Sequence, residues 1–244
     1  MNPRRTLATA VRVLRQLRHD PRTVALIMVV PCVLLIILKY AFYNNAVAFN
    51  NVAPMILGIF PLLMMFLVTS IATLRERTSG TLDRLMTMPI SKLDFLFGYA
   101  LAFSLVGLVQ ASLVSLVTLG FLSVTVLGGT LALIVAAVAA AILGTSLGLL
   151  VSAFATSEFQ AVELVMPILM PQVLVCGLFV ARDQMATFLQ RLADVFPLTY
   201  SVDAMKQVTT HSQWTGELKR DLCVVLGVAA AALVLGSITI RRQE

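Results

Sequence analysis

Long apolar runs alternate with short polar segments along the whole chain. About 20 apolar residues in a helix cross the hydrocarbon core of a bilayer, and six runs reach that length. They are predicted at residues 23–43, 53–74, 96–120, 131–153, 161–181 and 222–240. These runs are apolar on all sides, whereas the strands of a membrane barrel alternate apolar and polar residues. The pattern therefore predicts an all-α membrane protein with six transmembrane helices, in a single domain over residues 1–244.

Charged residues are rare in this chain, and one long stretch contains none. They make up 12% of the chain, and none occurs among the 63 residues from 95 to 157. A soluble domain has about a quarter of its residues charged and would need polar surface within such a stretch. This composition excludes a soluble enzyme.

The basic residues indicate how the chain is oriented. Segments 1–22, 75–95, 154–160 and 241–244 together hold twelve of the 18 Lys and Arg residues. Basic residues next to membrane spans mark the cytoplasmic side. We therefore expect both termini in the cytoplasm. The formal net charge of +6 needs no nucleic-acid partner.

Three segments outside the spans have amphipathic patterns. Residues 1–22 predict a helix that lies in the membrane interface, with a merely basic tail as the alternative. Segment 75–95 predicts a short cytoplasmic helix that either docks on a soluble partner or packs against the bilayer. Segment 182–221 predicts an exterior hairpin of two short helices, the second starting near Pro197.

Two of the spans contain residues that affect helix packing and shape. Gly144 and Gly148 are four residues apart in the fourth span, and small faces of this kind let two helices approach closely. Pro167 and Pro171 interrupt the fifth span, because proline removes a backbone hydrogen bond, and Gln172 adds polarity beside them.

Residues for catalysis or ion coupling are scarce. His19 and His211 are predicted on opposite sides of the membrane, and the three cysteines are isolated within apolar runs. No G-x-x-x-x-G-K-[ST] phosphate loop occurs, so any ATP would be bound by another chain. Within the predicted spans the ionisable residues are Lys39 and Glu163, each near a span end, which argues against proton-driven transport. We expect a protein that is not an enzyme and binds no cofactor or metal itself.

Two motifs resemble segments of a known family. The run ERTSGTLDRLMTMPIS, from Glu76 to Ser91, resembles the coupling-helix loop of type-2 ABC exporter permeases. The run from Phe196 to Lys206, FPLTYSVDAMK, resembles the segment that precedes the last span in that family. The order of the predicted elements is also similar to that of small multidrug and antibiotic-resistance permeases.

The resemblance implies partners and site residues. Two ATPase subunits, which carry ATP and Mg²⁺, would work with two permease chains, identical or different. The positions that contact the ATPase or shape the loop would be Glu76, Gly80, Thr81, Leu82, Leu85 and Pro89.

The function that the resemblance implies is export of an amphipathic, drug-like substrate across the plasma membrane, with the energy supplied by the partner ATPase. Alternatives are a lipid, haem or lipid-linked glycan as cargo, or a membrane scaffold or immunity protein that transports nothing. The candidate substrate pathway consists of polar residues within the spans. They are Thr69, Ser70, Thr73, Gln110 and Gln172.

Overall fold

The apolar runs form helices throughout the computed structural model, which describes residues 3–79 and 92–239. The helices are α1 (Pro3–Arg18), α2 (Pro21–Ala41), α3 (Ala46–Thr78), α4 (Lys92–Gly120), α5 (Gly129–Ser152), α6 (Glu158–Glu163), α7 (Val165–Val175), α8 (Thr187–Val195), α9 (Pro197–Thr210) and α10 (Gly216–Thr239), with a 3₁₀ turn at Arg182–Gln184. No strand occurs in these two ranges. Six helical stretches there are long and apolar enough to cross a membrane: α2, α3, α4, α5, α6 together with α7, and α10. The predicted all-α membrane fold with six transmembrane helices is confirmed.

Helices α3 and α5 pack most closely, and glycine makes this packing possible. A Cβ atom placed on Gly144 would lie 2.1 Å from the carbonyl oxygen of Leu62, and one on Gly148 would lie 2.5 Å from that of Phe66. Leu62 pairs with Gly144 and Phe66 with Gly148, so the residue number increases in the same direction along both helices. Helices α3 and α5 therefore run parallel. The structure thus confirms the small packing face predicted for the fourth span.

The bundle has two ends that carry different helices. Helix α1 packs near the C-terminal end of α3, whereas Ser201 of α9 donates a 3.1 Å hydrogen bond to the carbonyl of Gly58 in the first half of α3. We call these the α1 end and the α9 end. Helix α4 runs from the α1 end to the α9 end, antiparallel to α3 and α5, and Gly107 lies beside Met65 and Ala141 near its middle.

The second and last spans begin earlier than predicted because polar residues enter the helices. The second span was predicted at 53–74, but α3 begins at Ala46, where the Asn45 side chain accepts a 3.1 Å hydrogen bond from the Ala48 amide. The last span was predicted at 222–240, but α10 begins at Gly216, where the Thr215 hydroxyl accepts a hydrogen bond from the Leu218 amide. In both cases a side-chain cap starts the helix before the apolar run begins.

The fifth span is shorter than predicted and is broken. Instead of one helix over 161–181, α6 and α7 meet at Leu164, and α7 ends at Val175. The break precedes Pro167 because a proline ring clashes with the carbonyl four residues earlier, here that of Glu163. Helix α7 continues through Pro171. After it the chain turns at Gly177, whose φ of +88° suits glycine.

The other amphipathic segments are also helical where they are described. Helix α1 occupies 3–18 of the predicted 1–22, and Asp20 then caps α2, accepting hydrogen bonds from the amide and hydroxyl of Thr23. Helices α8 and α9 lie within the predicted hairpin, and Pro197 is the first residue of α9. The short helix predicted within 75–95 falls largely on residues 80–91, outside the described residues.

Candidate functional site

The last turn of α3 is bound to α1 through Glu76. This glutamate is only 8% exposed. Gln16 Nε2 donates a 2.7 Å hydrogen bond to Glu76 Oε1, and the Arg12 guanidinium lies 3.4 Å from both carboxylate oxygens. Arg12 and Gln16 reach the same carboxylate because residues four apart share one face of a helix. Glu76 therefore fixes α3 to α1.

Helix α1 is bound to the first turns of α4 as well. Arg12 Nη2 donates a 2.8 Å hydrogen bond to the Tyr99 hydroxyl, and the Thr6 hydroxyl donates to Asp94 Oδ1 at 3.4 Å. A Cβ atom on Gly98 would lie 2.6 Å from Thr9 Cβ, so glycine is needed for this close approach. Helix α1 thus joins the end of α3 to the start of α4.

Two arginines beside Glu76 bind the last turn of α3 to other helices. Arg75 pairs with both carboxylate oxygens of Glu158 at the start of α6, at 3.0 and 3.1 Å. Arg77 donates a hydrogen bond to the carbonyl of Ser152 at the end of α5. Consecutive residues on a helix point about 100° apart, so three in a row reach three different neighbours. We call Arg75, Glu76 and Arg77 the α3 anchor.

The structure describes one of the six predicted coupling residues. Glu76 lies in the α3 anchor, with its carboxylate directed toward α1. The other five, Gly80, Thr81, Leu82, Leu85 and Pro89, lie outside the described residues. Sequence reasoning selected Glu76 but missed Arg12, Gln16 and Tyr99. The spacing of Arg12 and Gln16 on α1 was the available signal, but it does not show which helix they face.

All five candidate pathway residues are buried. The Ser70 hydroxyl donates to the carbonyl of Leu67. Gln172 donates to the carbonyl of Ile168 within α7, and it joins α7 to α9 by accepting a 3.4 Å hydrogen bond from the Leu198 amide. Thr69, Thr73 and Gln110 find no hydrogen-bond partner for their buried side-chain atoms among the described residues.

These residues lie at different depths in the bundle. Gly107 faces Met65, so Gln110 is about one turn nearer the α9 end, whereas Thr69 is about one turn nearer the α1 end. The two side chains are therefore about 10 Å apart along the bundle axis. In this conformation Gln110 and the α3 hydroxyls do not form one polar site.

A second cluster of charges joins the helices at the α9 end. Arg182 donates to Asp203 Oδ2 at 2.6 Å and also pairs with Asp194, so it links α8 and α9 to the turn after α7. Burial raises the pKa of Asp203, although Arg182 and Lys206 oppose that shift. The cluster borders a groove of about 550 Å³ whose other wall includes Asn51 and Met55 of α3. The second motif contains Asp203 and Lys206, but nothing in the sequence indicated Arg182 as their partner.

Groups suited to metal binding are absent from the described ranges, where no three His, Cys, Asp or Glu residues lie close enough together to hold an ion. Cys32, Cys176 and Cys223 are free. The charged groups described above connect helices to one another.

Comparison with known proteins identifies the family. The family model described as ABC-2 type transporter matches residues 4–209, which is most of the chain. The chain belongs to the ABC-2 type transporter family. The family resemblance of the two motifs is thereby confirmed.

Relatives of this ABC-2 chain are named as ABC transporters. It is 29% identical over 160 residues to the probable multidrug ABC transporter permease YbhR of Escherichia coli (strain K12), a match that covers 64% of this chain and 43% of that protein. It is 25% identical over 141 residues to ABC transporter G family member 20 of Dictyostelium discoideum, covering 58% of this chain and 19% of that protein. The ABC-2 chain thus matches less than half the length of these relatives.

Proposed function

We propose that this chain is the membrane subunit of an ATP-driven exporter that moves amphipathic, drug-like molecules out of the cell. Membership of the ABC-2 family carries the proposal, and the name of the bacterial relative supports a multidrug substrate class. ATP and Mg²⁺ would be bound by two copies of a separate ATPase chain. A second permease chain, identical or different, would complete the complex in the plasma membrane, with the N- and C-termini in the cytoplasm.

The α1 end is where we expect the ATPase to act. Residues 80–91 connect α3 to α4 there, and α1 is fixed to both of these helices through Glu76, Tyr99 and Asp94. A force applied to this connection would reach the spans through helices that are already joined. A transporter moves its substrate by alternating between two conformations that expose different surfaces.

The low number of charges within the spans supports an external energy source. Between 95 and 157 no ionisable Asp, Glu, Lys or Arg is available as a proton relay. The buried polar side chains of Thr69, Thr73 and Gln110 would gain partners if a substrate or water entered the bundle during the cycle.

Co-expression with the ATPase encoded by a neighbouring reading frame tests the proposal. The two chains should purify together, and inside-out vesicles that contain them should accumulate an amphipathic dye only when ATP is supplied. Absence of a stable ATPase complex would favour a scaffold or immunity protein. Stable association with ATP-dependent movement of a labelled lipid but no dye would change the cargo.

A matched pair of variants tests the coupling assignment. Leu85→Asp should abolish substrate-stimulated ATP hydrolysis, because it places a charge on the predicted docking face. Leu189→Asp makes the same change on α8 at the α9 end, where the leucine is exposed, and should leave hydrolysis unchanged. Equal hydrolysis by the two variants would contradict the assignment of residues 80–91 as the ATPase contact.

A further inference from the structure

Helix α1 has one face fixed against the bundle and the opposite face directed outward. Thr9, Ala10 and Val13 are buried, and Thr9 lies against Gly98 of α4. On the opposite side, Leu7 is 58% exposed and Val11 38% exposed. Because the inner face is anchored through Arg12 and Gln16, the outward orientation of Leu7 and Val11 is set by the fold.

The outward face combines apolar and basic side chains in one stripe. Arg4, Leu7, Val11, Arg15 and Arg18 follow one another at intervals of three or four residues, so they lie along one side of the helix. We call these five residues the outer stripe. A shallow groove of about 860 Å³ follows α1 beside Leu7, Val11 and Arg15.

Among the described residues, part of the charge on the outer stripe has no carboxylate partner. Helix α1 contains no Asp or Glu. Within the described ranges no carboxylate lies within ion-pair distance of Arg15 or Arg18, whereas Arg12, directed inward, pairs with Glu76. The stripe therefore places positive charge, which can bind an anion, beside apolar side chains, which can contact hydrocarbon.

We propose that the outer stripe binds an anionic phospholipid, with Arg15 and Arg18 on the phosphate and Leu7 and Val11 against the acyl chains. Guanidinium groups donate paired hydrogen bonds to phosphate oxygens. Amphipathic helices with basic residues bind anionic bilayers through this combination of charge and buried apolar area. A free phosphate would leave Leu7 and Val11 without a role. The first span begins immediately after α1, at Pro21, so the stripe is close to where the chain enters the bilayer.

Quenching of a tryptophan by brominated lipid tests this site. Leu7→Trp, combined with Trp214→Phe, places the only tryptophan of the full-length chain on the outer stripe. The protein is reconstituted in bilayers that contain either brominated phosphatidylglycerol or brominated phosphatidylcholine in the same amount. An attractive surface contribution near 1 kcal/mol per basic residue corresponds to about a fivefold preference for each arginine, so we expect at least fivefold tighter binding of the anionic lipid.

Three further proteins make the test specific. Arg15→Gln with Arg18→Gln should remove the preference, whereas Arg15→Lys with Arg18→Lys should retain most of it. Arg191→Gln removes one charge from α8 at the α9 end and should leave the preference unchanged. Each variant is also checked for an unchanged thermal unfolding temperature, and the lysine pair supplies the comparison if the glutamine pair does not fold.

Several outcomes would overturn the proposal. Equal quenching by the two lipids would mean that α1 has no headgroup preference. A preference that survives in the glutamine pair would place the binding site elsewhere. Loss of the preference in a folded lysine pair, which retains both charges, would mean that the preference has a cause other than charge. If inorganic phosphate abolishes the preference while chloride at the same ionic strength does not, the ligand is a soluble anion rather than a lipid.

Discussion

The contact between α3 and α5 gives a quantitative test of the structure. In Gly144→Ala the new Cβ atom would lie 2.1 Å from the Leu62 carbonyl oxygen, whereas ordinary van der Waals contact begins at 3.4 Å. The helices would have to separate by about 1 Å, and backbone on both sides offers no flexible group that could yield. Overpacking of this kind costs about 1–3 kcal/mol. Gly148→Ala, at 2.5 Å from the Phe66 carbonyl, should cost somewhat less.

The reactivity of one buried cysteine provides the assay. Cys176 is buried, so in a protein that also carries Cys32→Ala and Cys223→Ala a thiol-reactive dye should report unfolding. Each kcal/mol corresponds to about 2–4 °C in the unfolding temperature for a chain of this size. Gly227→Ala on α10 is the matched control, because a Cβ atom there meets nothing within 4 Å. That variant should unfold at or slightly above the temperature of the unchanged protein, since alanine favours a helix. An equal unfolding temperature for Gly144→Ala and Gly227→Ala would refute the close packing of α3 and α5.

Three other predictions concern polar groups and use the same unfolding assay. Glu76→Arg should destabilise the chain by about 1–3 kcal/mol, because it leaves Arg12 beside a like charge. Adding Arg12→Glu should restore part of the lost stability. Additive effects of the two changes would show that the pair does not interact. Gln110→Met should raise the stability by about 1–3 kcal/mol, because it removes a buried amide that has no hydrogen-bond partner among the described residues. Gln172→Met should lower the stability by a similar amount, because the Leu198 amide loses its acceptor. Equal effects of the two changes would contradict the different hydrogen bonding of the two glutamines. The pKa of Asp203 is raised above its ordinary value of 3.8, so its contribution to stability is greatest below that pH and is lost as the pH rises through the folded-state pKa. Asp203→Asn should therefore flatten the dependence of unfolding temperature on pH, and an unchanged profile would argue against burial of this carboxyl group.

Hydropathy predicted the number and order of the spans because a bilayer sets a length that apolar runs must reach. It did not predict where α3 and α10 begin, since Asn45 and Thr215 cap these helices within polar sequence. Pro167 was recognised as a disruption, but the break appears at Leu164 because the clash of a proline falls on the preceding turn.

The candidate site was predicted only in part, for a different physical reason. The partners of Glu76 lie 60 and 64 positions away in the sequence, so their contact depends on the docking angle of α1. Lys39 illustrates the same limit: we attributed no specific role to this lysine near a span end, whereas its ammonium group donates to the carbonyls of Phe121 and Leu122 after α4. Hydrophobic periodicity identifies elements, but it carries no information about which charged side chains meet between them.

The α3 anchor has a consequence for how this end of the molecule moves. A helix end held by one contact can pivot or turn about its axis, whereas contacts on three sides resist both rotation and tilt. Arg75, Glu76 and Arg77 connect the last turn of α3 to α6, α1 and α5, respectively. A displacement of that turn is therefore shared among four helices. We expect the α1 end to move as one unit rather than to bend at a hinge.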